Sequence, residues 1–249
     1  RVVFACQPAL HRLMATVDGV DAVLDHETAT AQAAQFDYWT SLLSAPMHAG
    51  TTLDTIPPPV RLTPDPARVA RWRASLDVLP AGPRVGLVWK GNPKHHNDAH
   101  RSLPSLALLT PLWSVPGVNF VSLQKGQGED EARQPPGGLP LLHLGSEIDD
   151  FADTAAIVAQ LDLVVCVDTS TAHLAASLGK PCWVLLPNQD VDWRWMHGRD
   201  DSPWYPGTVR LFRRGRDESW IRLAERLRAA FAAHFAAGRV TADETAQVV

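Results

Sequence analysis

The residues best suited to chemistry form a polar elbow between an apolar run and a helical segment: Asp168, Thr169, Ser170 and Thr171. The run at 163–167 is short and rich in β-branched residues, which is typical of a strand covered on both faces. The elbow residues are natural N-caps, and a helix is predicted at 171–178. Because free N–H groups at a helix N-terminus attract phosphate, the elbow predicts binding of a phosphorylated ligand such as a nucleotide derivative.

Three further polar sets follow predicted strands. The second set includes Lys90, Gly91, Asn92, Arg101 and Ser102, the third Lys125, Gly126 and Glu129, and the fourth Asn188, Gln189 and Asp190. Loops after the carboxyl ends of parallel strands line one crevice, so Lys90, Lys125 and the helix N-terminus should converge. Two cations with helix N–H groups suit a diphosphate, whereas solvated lysines and a plain helix cap are the ordinary alternatives. Neither glycine loop matches a complete Walker or GxGxxG pattern.

The histidines near the second set do not predict a metal site. His95, His96 and His100 match no common zinc spacing, no cysteine is near, and Asp98 is the one close carboxylate. A solvent-exposed polar loop is the better interpretation. His173 lies in the first turn of the elbow helix, where it could face the ligand or be a partly buried helix histidine.

An aromatic run at 192–205 contains three of the nine tryptophans, in a stretch with proline and glycine but no clear periodicity. One interpretation is an ordered loop near the crevice, whose rings stack on a base or a sugar. The other is a loop held to the domain by its own aromatic side chains. The sequence leaves both open.

Composition excludes several classes of protein. The chain has 249 residues, 45% of them hydrophobic and 20% charged, with a net charge of -4 and no long basic run. A nucleic-acid partner is therefore not expected, and no apolar stretch approaches the roughly 20 residues of a membrane span. Cys6, Cys166 and Cys182 lie in or beside apolar runs without a CxxC motif, which favours buried, reduced thiols in a cytoplasmic protein.

Strands and helices alternate from residue 84 onward. Strands are predicted at 85–89, 119–124, 141–144, 163–167, 182–186 and 209–212, and helices at 103–112, 149–160, 171–178 and 218–236. This alternation predicts an α/β fold with a mostly parallel, Rossmann-like sheet and helices on both faces. Residues 64–249 would form this domain. Residues 1–63, with a strand at 2–6 and a Pro-rich end, would form a smaller, truncated N-terminal α/β domain.

Four segments together resemble one family: VGLVWKGNPKHHND with RSLP, FVSLQKG, DTSTAHLAASLGKPCWVLLP, and DWRWMHGRDDSPWYP. They are similar to the donor-side domain of bacterial heptosyltransferases, the family 9 type of glycosyltransferase, in the subgroup often fused to tetratricopeptide repeats. The elbow motif is the most specific of them, although Ser170 stands where glycine is usual. The resemblance covers roughly residues 60–214.

The resemblance implies a GT-B architecture, in which two Rossmann-like domains face each other across a cleft. By similarity, a nucleotide-sugar donor would contact Lys90, Asn92, Lys125, Asp168, Thr169, Ser170, Thr171 and His173, with Glu129 as a possible ribose contact. Transfer to an acceptor glycan or protein would need neither a metal ion nor a further cofactor, because helix N–H groups and lysines would stabilise the leaving diphosphate.

One departure from the family bears on activity. Members of the family carry a Gly-rich loop with an acidic general base after their first strand, and no such segment occurs in residues 1–59. The catalytic base is therefore unassigned: either the chain is a fragment of a longer protein, or the protein lacks this base. A non-catalytic nucleotide-sugar binding or assembly module is the main alternative. A sugar-nucleotide epimerase is a weaker one, because no carboxylate pair follows the predicted strands.

Overall fold

The computed structural model describes residues 1–246, with side chains through residue 237. The strands are β1 (Val3–Ala5), β2 (Ala22–Leu24), β3 (Arg84–Val88), β4 (Asn119–Ser122), β5 (Leu142–His143), β6 (Leu163–Val167), β7 (Cys182–Leu186) and β8 (Val209–Arg213). The α-helices are α1 (His11–Met14), α2 (His26–Ala31), α3 (Ala45–His48), α4 (Pro66–Leu76), α5 (Asp98–Arg101), α6 (Glu129–Arg133), α7 (Phe151–Val158), α8 (Ser170–Ser177) and α9 (Trp220–Ala246).

Six strands form one parallel sheet in the order β5-β4-β3-β6-β7-β8. The chain starts this sheet at its centre with β3, builds outward to β5, and then returns to add β6 on the other side of β3. Strand order therefore reverses between β3 and β6, where Val88 pairs with Cys166. A crevice opens at the carboxyl ends of such a strand pair, because the loops leave it in opposite directions.

Alternate residues of the central strands enter two separate cores, one on each face of the sheet. Val164 and Cys166 of β6 join the core beneath α4, α7 and α8. Leu163, Val165 and Val167 of the same strand join the core beneath α9 and a 3-10 helix at Leu106–Ser114. This period of two follows from the pleat and explains why β6 is apolar throughout. The predicted parallel sheet with helices on both faces is thus confirmed.

The contact between α4 and α7 has a buried ionic centre. Asp153 of α7 is fully buried and accepts hydrogen bonds from Trp72 Nε1 at 3.0 Å and from Arg68 Nη1 of α4. Its second oxygen accepts the Asp149 N–H at 3.1 Å. Since a buried carboxylate needs such partners, α4 is fixed to the helix layer of the large sheet.

The first 62 residues form little regular structure. β1 and β2 make a separate two-stranded parallel sheet. The helix α1 between them buries Leu13 against Leu174 of α8. Further along, Tyr38 and Trp39 are almost fully exposed, at 93% and 87%. Among residues 1–246, none of the helices combines the length and the apolar character that crossing a bilayer requires.

One predicted helix begins at the wrong residue. The segment 103–112 was expected to be an α-helix, whereas the structure has a 3-10 helix that starts only after Ser105, whose hydroxyl accepts the Ala107 N–H. Leu103 precedes Pro104, and the residue before a proline disfavours the α conformation. Pro111 then removes an N–H inside the segment, which prevents a regular α-helix.

The other predicted elements of the large sheet agree with the structure within a few residues. The predicted strands 163–167 and 182–186 coincide with β6 and β7. The short helices α2, α3, α5 and α6 were not predicted. These four helices are only four to six residues long, which is too short for apolar periodicity to show.

Candidate functional site

The polar elbow lies at the reversal of strand order, directly after β6. Thr169 has extended backbone angles and is the N-cap residue of α8. Its hydroxyl donates to the Val167 carbonyl at 3.2 Å and does not cap the helix. Among the residues described, the N–H groups of Ser170 and Thr171 have no acceptor. The N-terminus of α8 therefore offers free N–H groups and the positive end of its dipole to the crevice.

Asp168 joins three loops of the crevice. Its Oδ1 accepts the indole N–H of Trp195 at 2.8 Å, and its Oδ2 lies 3.5 Å from the Asp192 amide nitrogen. Its carbonyl oxygen accepts Arg101 Nη1 at 3.0 Å. The carboxylate is thus engaged with the loop after β7, while the backbone is held by the segment after β3.

His173 is held as a neutral, oriented imidazole. The ring stacks on Trp195 with centroids 4.8 Å apart, and its Nδ1 lies 3.0 Å from the Tyr205 hydroxyl. Burial lowers the pKa of His173, although the nearby Asp168 carboxylate acts in the opposite direction. A neutral imidazole can donate or accept a hydrogen bond without adding charge to the elbow.

Lys90 is anchored to protein carbonyls in this structure. Its Nζ donates to the carbonyls of Leu103 at 3.1 Å and Pro104 at 2.8 Å, and lies 4.0 Å from Glu131 Oε1. Only 13% of the side chain is exposed. Lys90 therefore links β3 to the start of the 3-10 helix, and a phosphate at the elbow would have to draw its ammonium away from these partners.

Lys125 and Asn92 are not brought to the elbow by any contact in the described part of the chain. Lys125 Nζ donates to the Ile148 carbonyl, beyond β5. Asn92 is exposed, and its Oδ1 accepts the Lys94 N–H at 3.0 Å. Of the donor contacts predicted from the sequence, five lie together in the elbow and its helix: Asp168, Thr169, Ser170, Thr171 and His173.

Glu129 is the first residue of α6, and both of its carboxylate oxygens accept hydrogen bonds. Oε1 accepts the Gly126 N–H, while Oε2 accepts the Ser146 hydroxyl at 2.6 Å and pairs with Arg133. The hydrogen bond from Ser146, followed by the one from Gly126, lowers the pKa of Glu129. The carboxylate is therefore ionised and fixed in place.

Gln124, which the sequence interpretation treated only as a strand end, connects two loops of the edge. The side chain is buried; its Oε1 accepts the N–H groups of Trp89 at 2.9 Å and Lys90 at 3.0 Å. Its Nε2 donates to the carbonyls of Lys90 at 3.0 Å and Gln127 at 2.8 Å. A polar residue closing the apolar run FVSL was the signal that could have identified it.

The tryptophans of the aromatic run differ in their environment. Trp195 is fully buried against the elbow, which is the packing role. Trp193 is 46% exposed, with the Arg194 guanidinium 4.5 Å from its ring centroid and Trp204 at its edge. Trp195 therefore holds the loop to the domain, whereas Trp193 remains partly exposed to solvent.

The histidines after β3 are exposed, as expected for a polar loop. His95 and His96 stack on each other with centroids 4.4 Å apart. Asn97 and Asp98 behind them are buried, and Asn97 Nδ2 donates to the Asp190 carbonyl at 2.6 Å. Among the described residues, no three His, Cys, Asp or Glu side chains are grouped as a metal site.

Residues 124–186 match the profile of glycosyltransferase family 9 (heptosyltransferase). This segment starts at Gln124 and ends with β7, so it includes the whole elbow and α8. The family resemblance predicted from the motifs is thus confirmed for this segment, which is about a quarter of the chain.

One curated protein is similar over a longer part of the chain. Protein FlbA of Caulobacter vibrioides is 35% identical over 190 residues, which cover 72% of this chain and 30% of FlbA. The chain therefore spans about a third of the length of the curated relative that it matches.

Two solved structures share the fold. Escherichia coli ADP-heptose lipopolysaccharide heptosyltransferase II has a TM-score of 0.59 at 13% identity, covering 93% of this chain and 89% of that one. A glycosyl transferase family 9 protein of Veillonella parvula has a TM-score of 0.66 at 10% identity, covering 94% and 89%. The predicted GT-B-like fold class is confirmed.

Proposed function

We propose that this chain is the donor-binding part of a glycosyltransferase and holds the diphosphate of a nucleotide sugar at the N-terminus of α8. The observation that carries the proposal is that, among the described residues, no side chain caps this helix: Ser170 and Thr171 keep free N–H groups, within the segment that matches family 9. Such N–H groups and the helix dipole favour an anion such as a phosphate group.

Sugar transfer would use this arrangement to stabilise the leaving group. The acceptor oxygen bonds to the anomeric carbon while the bond from that carbon to the β-phosphate oxygen breaks, and the electron pair leaves with the nucleoside diphosphate. Negative charge then grows on the phosphate oxygen, where fixed N–H donors lower the barrier. The acceptor hydroxyl loses its proton to a base that we leave unassigned. Because protein groups supply the positive charge, the proposed transfer needs no metal ion.

Other predicted donor contacts belong to the same proposal. Glu129 is ionised and fixed by Ser146, and its Oε1, which accepts the Gly126 N–H, can accept a second hydrogen bond from a ribose hydroxyl. His173 suits a hydroxyl of the donor sugar or a phosphate oxygen. Lys90, Asn92 and Lys125 remain predictions, and Lys90 would first have to exchange its carbonyl partners.

The domain assignment, acceptor and cellular context of the protein are proposals too. We assign residues 1–63 to a partial acceptor-side domain and residues 64–249 to the donor domain. The acceptor is a glycan or a protein side chain. The fusion to tetratricopeptide repeats and the bacterial origin are predictions from the resemblance, and the cytoplasmic location is a prediction from the cysteine pattern.

Calorimetric titration with UDP, GDP, ADP and CDP tests the proposal, each in EDTA and again with magnesium. Saturable binding of one nucleotide in EDTA is expected, and it would be reduced at least tenfold by Ser170→Pro, which removes a free N–H at the first position of α8, where proline fits a helix. Binding of the matching nucleotide sugar without release of its sugar in the presence of acceptors would favour the binding-module alternative. Absence of binding by all four nucleotides would contradict the donor site.

A further inference from the structure

Arg101 occupies the place at the elbow that the sequence interpretation gave to Lys90. It is the last residue of α5, in the segment after β3, and its Nη1 donates to the Asp168 carbonyl at 3.0 Å. This carbonyl lies two residues before the start of α8. The guanidinium therefore bridges β3 and β6 across the reversal of strand order.

The guanidinium is oriented by contacts on its inner side. Its Nε lies 3.4 Å from Asp98 Oδ1, and the same oxygen accepts the Ser102 hydroxyl at 2.8 Å. A Cβ added at Gly91 would come within 2.7 Å of Nη2, so the guanidinium packs closely against the backbone of this glycine. The side chain is 14% exposed. Arg101 is thus a pre-organised group rather than a solvated charge.

The charges around Arg101 are unbalanced on its outer side. A cation beside a helix N-terminus is electrostatically unfavourable, because the helix dipole is positive there. Asp98 pairs with Arg101 on the inner side, whereas two other acidic side chains have different partners: Asp168 accepts from Trp195, and Asp192 pairs with Arg194. Within the described part of the chain, Nη2 has no hydrogen-bond acceptor. The N–H groups of α8 and the fork of Arg101 therefore leave a shared position suited to an anion.

We infer that Arg101, rather than Lys90, is the cation that contacts the diphosphate of the donor. Lys90 serves instead to hold the start of the 3-10 helix through two carbonyls. The inference rests on the proposed donor site and assigns its charge recognition. A guanidinium can donate two parallel hydrogen bonds to phosphate oxygens, so it senses both the charge and the number of phosphates.

Phosphate-dependent binding tests the inference. The nucleoside diphosphate that binds best, its monophosphate and its nucleoside are titrated into the wild-type chain, Arg101→Gln and Arg101→Lys. We expect Arg101→Gln to raise the Kd of the diphosphate about 10- to 100-fold, that of the monophosphate less, and that of the nucleoside by less than about twofold. Arg101→Lys, which keeps the charge but not the fork, should recover part of the loss.

A matched control variant and the possible outcomes distinguish a failure of this inference from a failure of the proposed donor site. Arg222→Gln removes an exposed arginine of α9 and should leave all three affinities unchanged. An equal loss for all three ligands would make Arg101 only a positioning residue and overturn the inference. Unchanged diphosphate binding would overturn it too. If the wild-type chain binds none of the ligands, the proposed function fails with it. If Arg101→Gln does not fold, wild-type selectivity in Arg101→Lys overturns the inference.

Discussion

The indole N–H of Trp195 donates to Asp168 Oδ1 at 2.8 Å, and both groups are buried. This bond joins the loop after β7 to the elbow after β6. The same indole stacks on His173, so one side chain positions both an acid group and an imidazole of the candidate site. Arg213 Nη2 donates to the carbonyls of Trp195 and Met196, which fixes the loop from the other side.

Trp195→Phe separates this hydrogen bond from the ring packing. Phenylalanine keeps an aromatic ring beside His173 but leaves the buried Asp168 carboxylate without its donor. We expect the free energy of unfolding in urea to fall by about 1.5–3 kcal/mol. Trp193→Phe is the control, because the Trp193 ring is half exposed and makes no such bond within the described part of the chain; the free energy of unfolding should change by less than about 0.5 kcal/mol. Equal stability of the two variants would contradict the role of the bond.

The sequence predicts the large sheet well because its strands are buried on both faces. β6 and β7 are continuous apolar runs, and their limits are set by polar residues on each side. The sequence predicts the first 62 residues less well. The helices there are four to six residues long, and short elements carry too few residues to establish a period.

Part of the candidate site is local in sequence and part is not. The elbow and its helix are contiguous, so Asp168, Thr169 and the residues after them could be predicted together. Whether Lys90 or Arg101 faces the elbow depends on where each flexible side chain finds partners across the fold. Those partners, such as the Pro104 and Asp168 carbonyls, are backbone groups that leave no mark in the sequence.

Lys90→Met tests whether this lysine has a structural role. Methionine fills a similar volume but cannot donate to the Leu103 and Pro104 carbonyls, and it leaves Glu131 without a nearby cation. We expect the free energy of unfolding, measured in urea without nucleotide, to fall by about 1–3 kcal/mol. Lys94→Met, on the exposed loop nearby, should be neutral. Undiminished stability together with lost nucleotide binding would instead assign Lys90 to the phosphates.

Asp153 should make the fold sensitive to acid. Burial alone would raise the pKa of Asp153, but the hydrogen bonds from Trp72, Asp149 and Arg68 outweigh it and lower the pKa below its usual 3.8. A carboxyl whose pKa is lower in the folded state contributes stability that is complete above the unfolded value. That contribution is lost as the pH falls through the folded pKa.

Asp153→Asn should therefore remove part of the stability at pH 7 and part of its pH dependence. We expect the free energy of unfolding at pH 7 to fall by about 2–3 kcal/mol, because Arg68 loses a buried partner. Between pH 5 and pH 3, roughly, the variant should lose less stability than the wild-type chain. Asp217→Asn, at an exposed position, should follow the wild-type curve. Parallel curves for Asp153→Asn and wild type would contradict the assignment.

Thr169→Asp should stabilise α8 and weaken phosphate binding at its N-terminus. A carboxylate at this N-cap position can accept from the free N–H groups of α8, so the free energy of unfolding should rise by about 0.5–1 kcal/mol. The same carboxylate would repel a phosphate, and nucleoside diphosphate binding should weaken at least about tenfold. Thr169→Asn caps the helix without the charge, so it should give a similar gain with a smaller loss. Urea unfolding and calorimetry measure the two effects, and full diphosphate binding by Thr169→Asp would exclude the N-terminus of α8 as the phosphate site.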